Sequence, residues 1–283
     1  MDIFQILILA VIQGITELLP VSSSAHVIVA EKLMGLDPTS PKMTFLLIML
    51  HTGTMFAVIL FFWKSWQQRF FATAQIFEQS VRSIAAATLA TGIVGIFLKS
   101  FIEKFILKDI SHAEIELLFG NLLLVSIALA TAGFLIILAG LKMQRLQDKK
   151  MAMKESLMIG AVQGICLPFR GFSRSGATIS TGLLLGIDKR KVEDFSFALA
   201  VVLTPPIIIR EVLRLLKAQN VSEGIHLTQL FLPGLVGMAL SFIAGTLALR
   251  WLSNWLERGR WHFFGFYCLF VSAIVFWLHY QGF

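Results

Sequence analysis

Charged residues are scarce in this chain. Asp, Glu, Lys and Arg make up 14% of its 283 residues, where a soluble domain carries about 25%. That deficit excludes an ordinary water-soluble surface. Cysteine is nearly absent: Cys166 and Cys268 are the only two, and both sit in apolar surroundings, so neither a disulfide framework nor a zinc site is expected. The six histidines are scattered, with His112, His226, His262 and His279 near the ends of apolar runs and without metal-ligand spacing. The first apolar segment lacks the basic n-region and A-x-A cleavage site of a secretory signal, so it reads as mature structure. What is present is apolar. Hydrophobic residues make up 57% and the mean hydropathy is +0.79. Several runs reach the ~20 residues needed to cross ~30 Å of hydrocarbon. The net charge of +7 is then explained first by a basic bias in cytoplasmic loops, with no need of a nucleic-acid partner.

Taken in order, residues 3–19 are apolar but interrupted by Gln13, Gly14 and Glu17 and closed by Pro20, and residues 22–35 form a second short run. Each is too short to span comfortably, and together they read as a re-entrant helix pair. Non-helical backbone at that depth needs protein or water partners, so its tip must line a cavity. Fuller spans are expected at about 43–63, 84–100 and 116–141. A basic linker, 142–154, follows. A second broken pair lies at about 155–168 and 175–187, and three more spans at 194–217, 229–250 and 261–280. His51, mid-span, reads as packing helices or lining the cavity, and Pro205-Pro206 implies a kink.

The two broken pairs resemble each other. Gln13-Gly14-Ile15 leads to Leu19-Pro20 and the hydroxyls Ser22, Ser23 and Ser24; Gln163-Gly164-Ile165 leads to Leu167-Pro168 and Ser173, Ser175 and Thr178. Half-chain self-similarity marks an internal repeat, and paired broken hydrophobic segments point to the binding site of a membrane protein. A re-entrant pair leaves on the side it entered, and three spans then cross an odd number of times, so the halves are expected to be inverted. The expected fold is an all-α polytopic membrane protein, one domain of 1–283, with inverted repeats at about 1–141 and 155–283. It holds about six full spans and two re-entrant pairs. Lys and Arg favour one side, which carries Lys64, Arg69, Arg82, the linker and Lys189-Arg190-Lys191. That side is expected to be cytoplasmic, with both termini outside.

The second tip, Gly171-Phe172-Ser173-Arg174-Ser175-Gly176-Ala177-Thr178, supplies small residues, hydroxyls, a guanidinium and the N–H groups of a helix start. Helix N-termini attract anions, and arginine matches phosphate oxygens bidentately. Arg174 and Thr178 share a helix face. A charge at such depth is costly and normally has a task. Arg170 lies on the same tip. At the first tip, Gln13 and Glu17 share a face, and Ser22 or Ser23 can share one with His26. A hydroxyl beside an imidazole is the pattern of an activated nucleophile, although Ser and His also cap and pack. Glu17 is open to two readings, an ion-pair partner for Arg174 or Arg170 and a catalytic carboxylate, and these are compatible.

Two motifs then carry a family resemblance over essentially the whole chain. The first is Glu/Gln-x-x-x-Glu followed by Pro-Val-Ser-Ser-x-x-His, here Gln13 to Glu17, Pro20-Val21-Ser22-Ser23 and His26. The second is Pro-Gly-x-Ser-Arg-Ser-x-x-Thr, here Arg170-Gly171-Phe172-Ser173-Arg174-Ser175-Gly176-Ala177-Thr178. The chain resembles the integral-membrane undecaprenyl pyrophosphate phosphatases, also called bacitracin-resistance proteins. The resemblance implies removal of the terminal phosphate from a C55 polyprenyl diphosphate, regenerating the lipid carrier of cell-wall synthesis at the bacterial inner membrane, from a site open to the outer face. It implies catalytic roles for Glu17, Ser23, His26 and Arg174, with Ser173, Ser175 and Thr178 around the diphosphate; Gln13, Ser22, Ser24, Arg170 and Gly176 lie on the same two tips and are expected to contact substrate as well. It also implies dependence on a divalent cation, Mg2+ or Ca2+, with Glu17 the candidate ligand. Two departures stand out: Gln13 where glutamate is more frequent, which lowers the local charge, and Arg170 where the family usually has proline.

The reading is therefore a membrane hydrolase, with Ser23 as nucleophile, His26 or Glu17 as base, and direct attack by water as the other route. The rival is a lipid flippase or anion transporter of the same architecture. A pure transporter has no need of Ser23, His26 and Glu17.

Overall fold

The computed structural model describes residues 2–37, 40–106, 118, 120–143, 151–219 and 227–282. Most of the linker and its Arg145, Lys149 and Lys150 lie outside the described residues, as do His112 and His226.

The described residues form ten α-helices: α1 (Ile3–Leu18), α2 (Ser23–Leu33), α3 (Pro41–Phe70), α4 (Ala74–Phe101), α5 (Leu122–Met143), α6 (Met153–Cys166), α7 (Arg174–Leu184), α8 (Lys189–Gln219), α9 (Leu227–Glu257) and α10 (Trp261–Tyr280). Six of them, α3, α4, α5, α8, α9 and α10, are long and apolar enough to cross a bilayer. The chain is thus an all-helical, multi-pass membrane protein. The four short helices form the two broken pairs, α1–α2 and α6–α7.

Local chemistry sets the breaks. Pro20 forces the residue before it out of the helical region, and Leu19 is extended at φ −74°, ψ 152°. The chain then turns sharply at Ser22, whose hydroxyl caps α2 by accepting from the Ala25 N–H at 3.5 Å. In the second pair, Gly171 adopts φ +101°, and a Cβ there would lie 2.4 Å from the Val125 carbonyl oxygen of α5. Only glycine satisfies both demands. Ser173 then caps α7, accepting from the Gly176 N–H at 3.2 Å.

The repeated Gln-Gly-Ile has a packing role in each half. A Cβ on Gly14 would lie 2.7 Å from the Ser241 carbonyl oxygen of α9, and one on Gly164 would lie 2.7 Å from the Thr91 carbonyl oxygen of α4. Each broken pair thus seats its first helix, backbone to backbone, on a long helix of the other half, the close approach that small residues permit in membranes. Buried Phe62, Trp66 and Phe197 stack between α3 and α8. At the α3 C-terminus, Arg69 Nε meets the buried Asp194 carboxylate at 3.0 Å, which also accepts from Ser65 Oγ at 2.7 Å. Paired this way, a buried charge is tolerated. Pro205 and Pro206 lie inside α8.

Candidate active site

The two tips meet. Ser175 Oγ, at the start of α7, donates to the Leu19 carbonyl at 3.2 Å. This contact brings the end of α1 against the N-terminus of α7, where the positive helix end and the Arg174 guanidinium coincide.

Glu17 is the hub. Its Oε1 accepts from Arg174 Nη2 at 3.0 Å. Its Oε2 accepts from Ser23 Oγ at 2.6 Å and from Gln13 Nε2 at 3.0 Å. Three donors thus fix a carboxylate whose side chain is only 16% exposed. The short Ser23 bond places a hydroxyl on an anionic acceptor, the geometry of a nucleophile beside its base. Arg174 Nη1 is buried without a hydrogen-bond partner. A buried guanidinium donor is costly unless something accepts from it, and an anion entering beside Ser23 would do so.

A small cleft opens here, lined by Glu17 and Arg174 together with His51, Thr54, Met55 and Thr204. His51 Nδ1 donates to the Leu47 carbonyl at 2.8 Å, leaving Nε2 3.6 Å from Glu17 Oε2.

The remaining site residues of the sequence reading fall as follows. Thr178 Oγ1 donates to the Arg174 carbonyl at 2.8 Å and pairs with Ser196 Oγ at 2.6 Å, so it braces the first turn of α7. Gly176 is buried, and a Cβ there would meet Ile136 Cδ1 at 2.8 Å. Ser24 is half-buried next to Ser23. Arg170 is exposed, and its charge interacts with that of Glu31 at the end of α2. His26 does not face Ser23's hydroxyl. Its Nδ1 bonds the Ser22 carbonyl at 2.8 Å and its Nε2 bonds Tyr267 Oη at 2.8 Å.

The donor set does not fit a resident divalent cation. Glu17 is the carboxylate of the cleft, both of its oxygens are already engaged, and position 13 supplies an amide. Among the described residues no group of three or more His, Cys, Asp or Glu side chains converges to hold a metal.

The family described as Bacitracin resistance protein BacA matches residues 6–274. The chain belongs to this family. Among the proteins similar to this chain, "Undecaprenyl-diphosphatase 2" of Acinetobacter baylyi is 56% identical over 278 residues, covering 97% of each chain. "Undecaprenyl-diphosphatase" of Bacteroides fragilis is 32% identical over 282 residues, covering 97% of each. The protein of that name in Thermodesulfovibrio yellowstonii is 30% identical over 279 residues, covering 99% of this chain and 98% of its own. The family match takes in both tips, five of the six long helices whole and most of α10.

Within this BacA chain, sequence reasoning passed over Tyr267 and gave His51 no more than a packing or cavity-lining place. His51 carried a signal, since an ionisable residue in mid-span usually faces a cavity. Tyr267 carried none: it contacts a residue 241 positions away.

Proposed function

We propose that this BacA chain hydrolyses undecaprenyl diphosphate to undecaprenyl phosphate and orthophosphate. The observation that carries the reading is the Ser23–Glu17–Arg174 cluster with its unpaired Arg174 Nη1. The names of the relatives support the same substrate.

Phosphoryl transfer asks a protein chiefly to position the group and neutralise its charge. Arg174 and the start of α7 hold the terminal phosphate. Ser23 Oγ attacks the terminal phosphorus, its proton passing to Glu17 Oε2, and the anhydride P–O bond breaks. Undecaprenyl phosphate leaves with the bridging oxygen. Glu17 then releases its proton to the departing phosphate, a water attacks the phosphoserine while giving a proton to Glu17, and Glu17 returns that proton to Ser23 Oγ as orthophosphate leaves. The polyprenyl tail lies in the lipid beside α8, which carries Pro205 and Pro206. A divalent cation bound to the lipid diphosphate would supply charge neutralisation there, since among the described residues no cluster of three or more His, Cys, Asp or Glu would hold one on the protein. Mg2+ typically keeps several waters and binds through one or two carboxylates plus substrate phosphates.

The same reading sets the chain in the bacterial inner membrane as two inverted repeats. The linker is cytoplasmic, the termini are outside and the site opens to the outer face, as the Lys/Arg distribution supports. Loss of the diphosphate form would account for the resistance in the family's description. The test is orthophosphate release from undecaprenyl diphosphate by purified protein in detergent. Release in proportion to protein is expected; binding of the lipid without phosphate release would overturn the reading.

A further inference from the structure

Ser22, next to the proposed nucleophile, has φ +66° and ψ 95°. It is the one non-glycine residue with positive φ among the described residues. Such a conformation persists where the surroundings over-determine it. The surroundings here lead to α10.

The Ser22 carbonyl can only accept, so His26 Nδ1 carries the proton of their 2.8 Å bond. In the neutral ring Nε2 is then bare, and it accepts from the Tyr267 hydroxyl at 2.8 Å. The two rings stack at 5.7 Å with planes 5° apart. The next residue of α10, Cys268, donates its thiol to the Pro20 carbonyl at 3.4 Å. Consecutive residues of α10 therefore grip the first tip on both sides of Ser22. Both nitrogens of His26 are engaged, so it is not free to take the Ser23 proton, which faces Glu17 at 2.6 Å.

We propose that Tyr267 is a positioning residue for the reaction: through His26 it holds the strained Ser22 backbone and so aims Ser23 Oγ at Glu17. The proposal rests on Ser23 being the nucleophile. Fixing the ring's tautomer sets which carbonyl it can grip, and a misplacement of about 1 Å at a reacting atom costs up to ~100-fold in rate.

The test is Tyr267→Phe, which keeps the stacked ring and deletes the donor. Its control is Tyr280→Phe, at the exposed far end of α10 and the only other tyrosine. Tyr267→Phe should lower kcat about 3- to 10-fold, the loss of one hydrogen bond. KM should stay within about twofold, because the phosphate contacts of Arg174 are untouched. In a His26→Phe background, Tyr267→Phe should cost nothing more, since the two act as one strut. Nitrogen-15 NMR of the histidines, with no substrate, should show His26 neutral, protonated at Nδ1, with an Nε2 resonance that moves in Tyr267→Phe. Wild-type kcat in folded Tyr267→Phe would overturn the proposal. So would additive losses in the double variant, or a His26 that carries its proton on Nε2. The NMR measurement needs no turnover, so failure of the strut is distinguishable from failure of serine as nucleophile, which Ser23→Ala reports.

Discussion

Replacing Arg174 with lysine keeps the charge and removes the fork. In the structure, Nη2 holds Glu17 Oε1 at 3.0 Å while Nη1 is buried with no protein partner. On the proposed function two separate donors serve two directions, one toward the carboxylate and one toward the entering phosphate. A lysine has a single nitrogen at the end of a flexible stem. If it stays on Glu17, the phosphate loses a charged hydrogen bond. If it turns to the phosphate, Glu17 loses its cation. A hydrogen bond to a charged group is worth about 1.5–3 kcal/mol, so Arg174→Lys should lower kcat/KM by about 10- to 150-fold. Arg174→Ala should go further, raising KM as well as lowering kcat, because phosphate is held in both ground and transition states. The assay is orthophosphate release from a short-chain polyprenyl diphosphate in detergent, with binding measured separately on the same protein. Near-normal turnover by a folded Arg174→Lys variant would remove this residue from phosphate binding.

Three further outcomes are expected. Gly171→Ala should fail to fold or melt well below wild type in a thermal scan, because its Cβ would meet the Val125 carbonyl at 2.4 Å from a φ of +101°; an unchanged Tm would refute that reading of the tip. Equilibrium dialysis with Mg2+ or Ca2+ should show no tight binding to the protein without lipid diphosphate, and stoichiometric binding to protein alone would restore a resident site. A cysteine placed at 148 should be labelled only from the cytoplasmic side, and labelling only from outside would invert the topology.

The sequence made the spans legible because bilayer thickness demands long apolar runs, and it made the breaks legible because proline and glycine punctuate them. Span ends were less so. Hydropathy ended the third helix near residue 63, yet α3 continues to Phe70, held by the Arg69–Asp194 pair at 3.0 Å. Hydropathy alone does not see a helix extended by polar contacts. At the site, the Glu17–Arg174 pair was readable as two charges in apolar flanks. The Ser23–Glu17 bond was not, because helical spacing stops at Leu18 and the two residues sit on different helices. The same spacing put His26 on a face with Ser22, and the structure joins them through the Ser22 carbonyl and not the hydroxyl. Tyr267 and Cys268 reach the tip only through tertiary packing, which no local pattern encodes.

The measurement closest to the central claim is single-turnover phosphate release by Ser23→Ala beside wild type, with lipid binding determined on both. The Ser23 hydroxyl donates to Glu17 at 2.6 Å and makes no part of the Arg174 contact, so its removal should leave binding nearly intact. Loss of the nucleophile should slow phosphate release ~100-fold or more. Release by folded Ser23→Ala at the wild-type rate would contradict the account and pass the role to a water activated by Glu17.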